Sequence, residues 1–330
     1  MKKKINLNEK IFIAGKTGMA GSAIIRELKK KGYGNQKLGG EFLYPTRKEL
    51  DLLNLNDIFD YFSSKKPSIV ILAAAKVGGI LANYECPADF ILENLKIQTN
   101  IIETSWKFGI KRFLFLGSSC IYPKFAPQPI TEEALMKSSL EKTNEYYAIA
   151  KIAGIKLCES LRKQYNFDSI SLMPTNLYGP GDNYHHKNSH VMASFIRKFN
   201  DAKKTNKREI ICWGSGDPKR EFLHVEDLAG AVVFALENWD PSDSNSPKDL
   251  NGEELSYLNV GTGIDISIKD LASLIAQIVN YQGDIYWDKS KPDGTPKKLL
   301  DVSRINKLGW KSKIKLQEGI RKTIEEINSH

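Results

Sequence analysis

Apolar and polar positions along the chain fall into two alternating textures. Runs of consecutive apolar residues end in small ones: "KIFIAG" (10–15), "EFLYPT" (41–46), "PSIVILAAAKVGG" (67–79), "KRFLFLGSS" (111–119) and "SISLMPTNLYGP" (169–180). Unbroken apolarity of this length marks strands buried on both faces, as in a parallel sheet. Between these runs, apolar residues recur at helical spacing over 19–32, which stops at Gly32, and over 88–109 and 144–166. Strands alternating with helices predict an α/β fold, a Rossmann-type doubly wound parallel sheet.

Beyond Pro180 the texture changes. "GDNYHHKNSH" reads as a polar loop, 224–238 as a helix with acids near its start, and 238–254 as a polar surface excursion. Residues 267–280 form a further helix, with Ser267 and Asp270 spaced as a cap pair. The expected division is a Rossmann domain of residues 1–180 with 223–258, and a smaller C-terminal α/β substrate-binding lobe of 181–222 with 259–330.

Composition narrows the class. The 330 residues are 41% hydrophobic and 26% charged, ordinary for a globular protein. No apolar run approaches the ~18 residues of a membrane span, and "MKKKINLNEKIFIAG" reads as a strand entering a glycine loop rather than as a signal peptide. Cys86, Cys120, Cys158 and Cys212 are scattered, without Cys-x-x-Cys or histidines at ligand spacing, which points to a reducing, cytoplasmic setting and no metal. The net charge of +9 suits nucleic acid, small anionic ligands or a merely solvated surface; the basic residues form no arm and match no nucleic-acid motif.

Candidate chemistry begins at "GKTGMAG", where Gly15, Gly18 and Gly21 follow a strand and open a helix. Glycines so spaced let backbone reach a dinucleotide pyrophosphate at the helix N-terminus. At the second strand end, where an NAD site carries an acid, stand Arg47 and Lys48; a cation there suits the 2′-phosphate of NADPH. Asp51 is placed to serve the adenine end. Tyr147 and Lys151 are four apart on one helix face, so the ammonium is expected to lower the phenol's pKa and make it a proton donor to a carbonyl. Tyr146, five from Lys151, lies on another face. Ser118 at a strand end reaches toward the same carbonyl, and Cys120, two residues on along an extended strand, shares its side. His185, His186 and His190 are rival loop histidines, while His224 starts a helix in a structural role.

With the glycine loop, the strand-end serine and Tyr-x-x-x-Lys, the chain resembles the extended short-chain dehydrogenase/reductases. "AAAKVGGI", "FLGSSCIYPK", "YAIAKIAGIKLCE", "MPTNLYGP", "NSHV", "WGSGDPKREFLHVEDLA", "NVGTG" and "SKPDGTPKKLLDVSR" narrow the resemblance to the GDP-L-fucose synthase family, over nearly the whole chain. That resemblance implies two reactions in one pocket: 3,5-epimerisation of GDP-4-keto-6-deoxy-D-mannose through an enolate, then NADPH-dependent reduction of the C4 ketone. Ser118 and Tyr147 would address the C4 oxygen, Lys151 the nicotinamide ribose, and Cys120 with His190 the carbon-bound protons. The cofactor would lie along Gly15, Lys16, Thr17, Gly18, Met19, Ala20 and Gly21. Arg47, Asp51, Leu52, Leu116, Gly117, Ser118, Lys151, Pro174, Asn176, Leu177 and His190 would complete its site. Lys198, Trp213, Arg220 and Asp293 would hold the GDP-sugar. The resemblance also implies a homodimer through the helices at 88–109 and 144–166, with neither nucleic acid nor membrane as partner.

Two departures stand out. The family's glycine loop commonly carries Arg where this chain has Thr17, with Lys16 beside it, and Pro where this chain has Tyr146. The alternatives are another NAD(P)-dependent nucleotide-sugar epimerase or dehydratase, and a dinucleotide-sensing regulator. A dehydratase needs an acidic pair that "GSSCIYPK" lacks; a sensor would be expected to lose Tyr147 or Lys151, and both are present.

Overall fold

The computed structural model describes residues 4–185, 189–291 and 293–329. Along the chain run β1 (Lys10–Ala14), α1 (Met19–Lys30), β2 (Glu41–Leu43), α2 (Leu55–Lys65), β3 (Ile69–Leu72), α3 (Ile80–Glu85), α4 (Pro87–Lys107), β4 (Arg112–Leu116), α5 (Glu145–Tyr165) and β5 (Ser169–Pro174). There follow β6 (Asn176–Tyr178), α6 (Val191–Lys204), β7 (Glu209–Trp213), β8 (Lys219–His224), α7 (Val225–Asn238), β9 (Tyr257–Val260), β10 (Asp265–Ser267) and α8 (Ile268–Val279). The last elements are β11 (Asp284–Asp288), β12 (Lys297–Lys298), α9 (Ser303–Leu308) and α10 (Leu316–Ser329).

The apolar runs become one six-stranded parallel sheet in the order β2-β1-β3-β4-β5-β9. Ile11, Phe12, Ile13, Val70, Ile71 and Phe115 have no exposed surface; each such side chain contributes about 1.5–3 kcal/mol relative to exposure. The chain adds β2 on one side of β1 and β3 on the other, so the strand order reverses there. A crevice must open at the carboxyl ends of β1 and β3.

A second core gathers Phe195, Ile196 and Phe199 of α6, Leu271 and Ile275 of α8, and Ile320 of α10. It packs near a small sheet, β10-β8-β12 with β6 also paired to β8, and a two-stranded pair, β7 with β11.

Four expectations shift. The strands expected over 41–46, 67–79 and 111–119 stop at Leu43, Leu72 and Leu116, where the small residues leave the sheet as loops. The run 169–180 is two strands. It breaks at Thr175, and β6 joins β8 in the small sheet rather than continuing beside β9. β8 itself starts inside the segment 181–222. Leu300, Val302, Ile305 and Trp310, expected in the C-terminal lobe, pack in the larger core. Apolar side chains fill whichever core their backbone pairing reaches, and the bridge Ile130↔Leu300 delivers this stretch to the first one.

Candidate active site

The crevice is a cleft of about 1740 Å³ between the ends of the large sheet and the second core. At its floor, Gly15 has φ +101°, and a Cβ there would meet the Ala74 nitrogen at 2.9 Å. A Cβ on Gly21 would lie 2.1 Å from the Gly15 carbonyl oxygen. The loop can therefore lie against β3's exit and under α1 only as glycine. Gly18 caps α1 without a side-chain bond, so the helix's first N–H groups face the cleft. This is a cradle suited to a dinucleotide pyrophosphate. Lys16, Thr17, Met19 and Ala20 line it, as do Arg47, Asp51 and Leu52 beyond β2. The loop 73–79 forms the opposite wall. Asn94 fixes it by accepting from Lys76 N (2.9 Å) and donating to Lys76 O (3.0 Å). Lys76 Nζ pairs with Asp89 at 2.9 Å and with Glu93 at 2.6 Å.

The reactive rim lies where β4 ends. Ser118 is extended (φ −163°, ψ 149°) and faces the cleft. Cys120 is not on an extended strand: Ser119–Ile121 form a single 3₁₀ turn, and Ser118 Oγ accepts from Cys120 N at 3.3 Å. The turn still brings both side chains to the cleft, with Cys120 only 7% exposed. Burial pushes the Cys120 thiol up, opposed by the positive charges of Lys298 and Lys151.

Tyr147 lines the cleft from α5 and packs edge-on to Phe90, with centroids 6.5 Å apart. Lys151 lies behind it, 3% exposed. Its Nζ donates to Leu116 O at 2.8 Å and sits 5.9 Å from the Tyr147 ring centroid. The expected lowering of the phenol by this ammonium is reversed. Burial raises Tyr147 and lowers Lys151 to about 8. Desolvation disfavours both charges, and the ammonium is engaged with a carbonyl. Leu116 and Lys151 are the two predicted residues that back the cleft rather than line it. Gly117, Pro174, Asn176 and Leu177 line it at the sheet's edge, where Asn176 Nδ2 donates to Glu221 O at 2.8 Å. His190 opens into the cleft as the N-cap of α6, and desolvation lowers its imidazole. His186 and Asn188, in the polar loop, lie outside the described residues.

At the far end, burial lowers both Lys198 and Arg220. Lys198 Nζ donates to Ile211 O at 2.8 Å, and Arg220 Nη1 to Lys219 O at 2.8 Å. Trp213 is 69% exposed, with Lys291 Nζ 5.7 Å from its ring centroid. Asp293 accepts from Ser215 N (2.9 Å) and Ser215 Oγ (2.7 Å), which holds its carboxyl low.

Lys298 is a residue that motif reading passed over. It faces the cleft from β12, in register with Arg220. Gln128 grips the backbone on either side of it, donating to Lys297 O (3.2 Å) and accepting from Leu299 N (2.8 Å). The stretch "TPKKLL" names the lysines, but only pairing with β8 decides which way each points.

Residues 11–251 match the family described as NAD dependent epimerase/dehydratase. A putative GDP-L-fucose synthase of Arabidopsis thaliana is 52% identical, covering 96% of this chain and 90% of its own. The GDP-L-fucose synthase of Escherichia coli K12 is 49% identical, covering 96% of both chains. A GDP-D-glycero-L-gluco-heptose synthase of Campylobacter jejuni, solved in the presence of NADPH, superposes with a TM-score of 0.85 at 34% identity, covering 99% of each chain. Matched by the family's pattern over most of its length and by such enzymes across nearly all of it, the chain belongs to the NAD dependent epimerase/dehydratase family, on the branch that holds the GDP-L-fucose synthases.

Proposed function

We propose that this chain is a bifunctional NADPH-dependent epimerase/reductase that converts GDP-4-keto-6-deoxy-D-mannose to GDP-L-fucose. The convergence of Ser118, Cys120, Tyr147 and His190 on one cleft with a glycine-loop cradle carries the reading. Relatives of that name at about half identity support it.

The hydrogens at C3 and C5 are both alpha to the C4 ketone. Loss of either puts charge on the same oxygen, so one pair of donors, Ser118 and Tyr147, serves both epimerisations and the reduction. A phenol kept protonated by burial is suited to giving its proton to that oxygen. Cys120 and His190 exchange the carbon-bound protons, one taking while the other returns; thiol and imidazole have reference pKa values of about 8.5 and 6.5, on either side of neutrality. Lys151 braces the rim through Leu116 O and would hold the nicotinamide ribose once the cofactor is bound. Lys198, Trp213, Arg220 and Asp293 receive the GDP, the two cations neutralising diphosphate. Bound NADPH supplies the hydride to C4.

The four cysteines are free thiols, in keeping with a reducing cytoplasm. Leu92 of α4 and Tyr146 and Ile149 of α5 are exposed apolar residues on two helices packed together, which supports a homodimer through a four-helix bundle.

Stoichiometric NADPH oxidation with the keto-sugar separates this reading from a redox-neutral epimerase and from a sensor. Proton NMR in deuterium oxide, with an unreactive NADP analogue bound, isolates epimerisation. Cys120→Ala should suppress deuterium entry at C3 and C5 while some NADPH-dependent reduction persists. Wild-type incorporation in that variant would make the thiol a packing residue.

A further inference from the structure

Arg220 and Glu221 are neighbours on β8 and point opposite ways, as successive strand residues do. Arg220 faces the cleft, while Glu221 has no exposed surface. Glu221 Oε1 accepts from Thr262 N at 2.6 Å, Gly263 N at 2.8 Å and Thr262 Oγ1 at 3.4 Å, and Oε2 accepts from Leu300 N at 2.9 Å. Every partner is a donor, as an ionised carboxylate requires, and they are backbone N–H groups and one hydroxyl rather than a cation. A buried charge of this kind is costly unless all these bonds are made. A Cβ on Gly261 would lie 2.1 Å from Glu221 Oε1, so glycine leaves the room that the carboxylate takes.

The bonds tie β8 to two other segments. Thr262 and Gly263 follow β9 of the large sheet, and Leu300 stands two residues beyond Lys298, which pairs with Arg220. The backbone oxygen of Glu221 reaches a third: it accepts from Asn176 Nδ2 at 2.8 Å and Thr175 Oγ1 at 3.3 Å, at the break between β5 and β6. Here β8 also exchanges partners, for Lys219 and Arg220 pair with β12 and Phe222, Leu223 and His224 with β6. One buried residue thus joins the cations Arg220 and Lys298 to the edge of the large sheet where Asn176 and Leu177 line the cleft.

We infer that Glu221 is a positioning residue that fixes Arg220 and Lys298 relative to the nicotinamide end of the cleft. The grip on GDP then aligns the sugar ring with the hydride donor, and remote binding is turned into rate. This role rests on the GDP-sugar placement proposed above and adds what transmits it.

The test is a double-mutant cycle read by steady-state kinetics with the keto-sugar and NADPH. Glu221→Gln keeps the volume but sets an amide against one of the backbone N–H groups. It should lower kcat/KM for the keto-sugar about tenfold, mostly in kcat, the size of a lost hydrogen bond to a charged group. NADPH affinity by calorimetry should stay within about twofold, because the backbone oxygen that holds Asn176 is unchanged. Arg220→Ala should cost several-fold less in the Glu221→Gln background than alone. Lys198→Ala, on α6 and bonded to Ile211 O, should cost the same in both. Gly261→Ala, which presses a methyl on the carboxylate with Glu221 retained, should repeat the pattern. Equal costs of Arg220→Ala in both backgrounds overturn the positioning role. A coupling shared by Lys198→Ala, or a matching loss of NADPH affinity, makes Glu221 a general packing residue and overturns it too. If Arg220→Ala costs nothing in the unmodified protein, the GDP placement itself fails, and the role of Glu221 with it.

Discussion

At Tyr147 two influences compete for one phenol, and desolvation wins. The nearby ammonium would favour phenolate, but it is 5.9 Å from the ring centroid and bonded to Leu116 O. Tyr147 therefore stays protonated and is suited to donate rather than to abstract. Tyr147→Phe should lower turnover of the keto-sugar by 10²–10⁴, the range of general acid catalysis, and leave NADPH affinity nearly unchanged. Retention of more than about a tenth of the activity would remove the acid role. Lys151 gives a pH signature. Burial brings it to about 8, so it is charged below that pH and neutral above it. If the ammonium is the form that holds the ribose, affinity for NADPH in the free enzyme should weaken as pH rises through about 8. Titrations from pH 6.5 to 9.5 read this directly, and Lys151→Met should flatten the profile.

Helix α7 depends on a residue that does two jobs at its start. His224 is its N-cap: Nδ1 accepts from Glu226 N at 3.3 Å, and the ring packs edge-on to Tyr178 at 5.3 Å. Only 2% of the residue is exposed, and its Nε2 has no hydrogen-bond partner among the described residues. Desolvation lowers this imidazole, against the pull of Glu226 and Asp227. With a folded pKa below the unfolded value of about 6.5, the neutral form favours folding. The contribution is complete above about 6.5 and is lost as pH falls through the lower, folded value. A protonated Nδ1 also cannot accept the cap bond. Urea midpoints should fall more between pH 7.5 and 5.5 in the native protein than in His224→Asn, which caps without titrating. Equal slopes would mean that His224 takes up protons alike in the folded and unfolded states. The same scale explains an element that pattern reading passed over. α6 places Met192, Phe195, Ile196 and Phe199 at helical spacing, yet it follows a polar loop whose texture hid it.

Across the whole molecule, the stretch beyond the reactive turn is strapped to the segment at 295–301. Ile130 N donates to Leu299 O at 2.7 Å and Asp301 N to Ile130 O at 2.8 Å, while Glu141 accepts from Thr295 Oγ1 at 3.2 Å. Lys124 pairs with the same carboxylate at 2.9 Å. This ties the chain beyond the reactive turn to the segment carrying Asp293 and Lys298, so the parts of the site from each core are held as one. On the outer side, α4 and α5 leave Leu92 and Ile149 53% and 42% exposed. If these faces pair between copies, Leu92→Arg combined with Ile149→Arg should yield monomers by light scattering, with NADPH binding retained. An unchanged mass would place any dimer contact elsewhere.

Periodicity by itself determined the parallel sheet, because strands buried on both faces must be apolar throughout, and the glycine spacing marked position 15, where only glycine fits against β3's exit. Spacing pointed to Ser118 and Tyr147, and the family resemblance added Cys120 with His190; all four reach one cleft. Tertiary structure decided what spacing cannot carry. Backbone pairing sent β6 to β8 and the stretch at 300–310 to the larger core. The 3₁₀ turn at Ser119–Ile121 replaced the extended path assumed for Cys120. The protonation of Tyr147 and Lys151 followed from how much protein surrounds them. That quantity depends on residues distant in the chain, so no local pattern contains it.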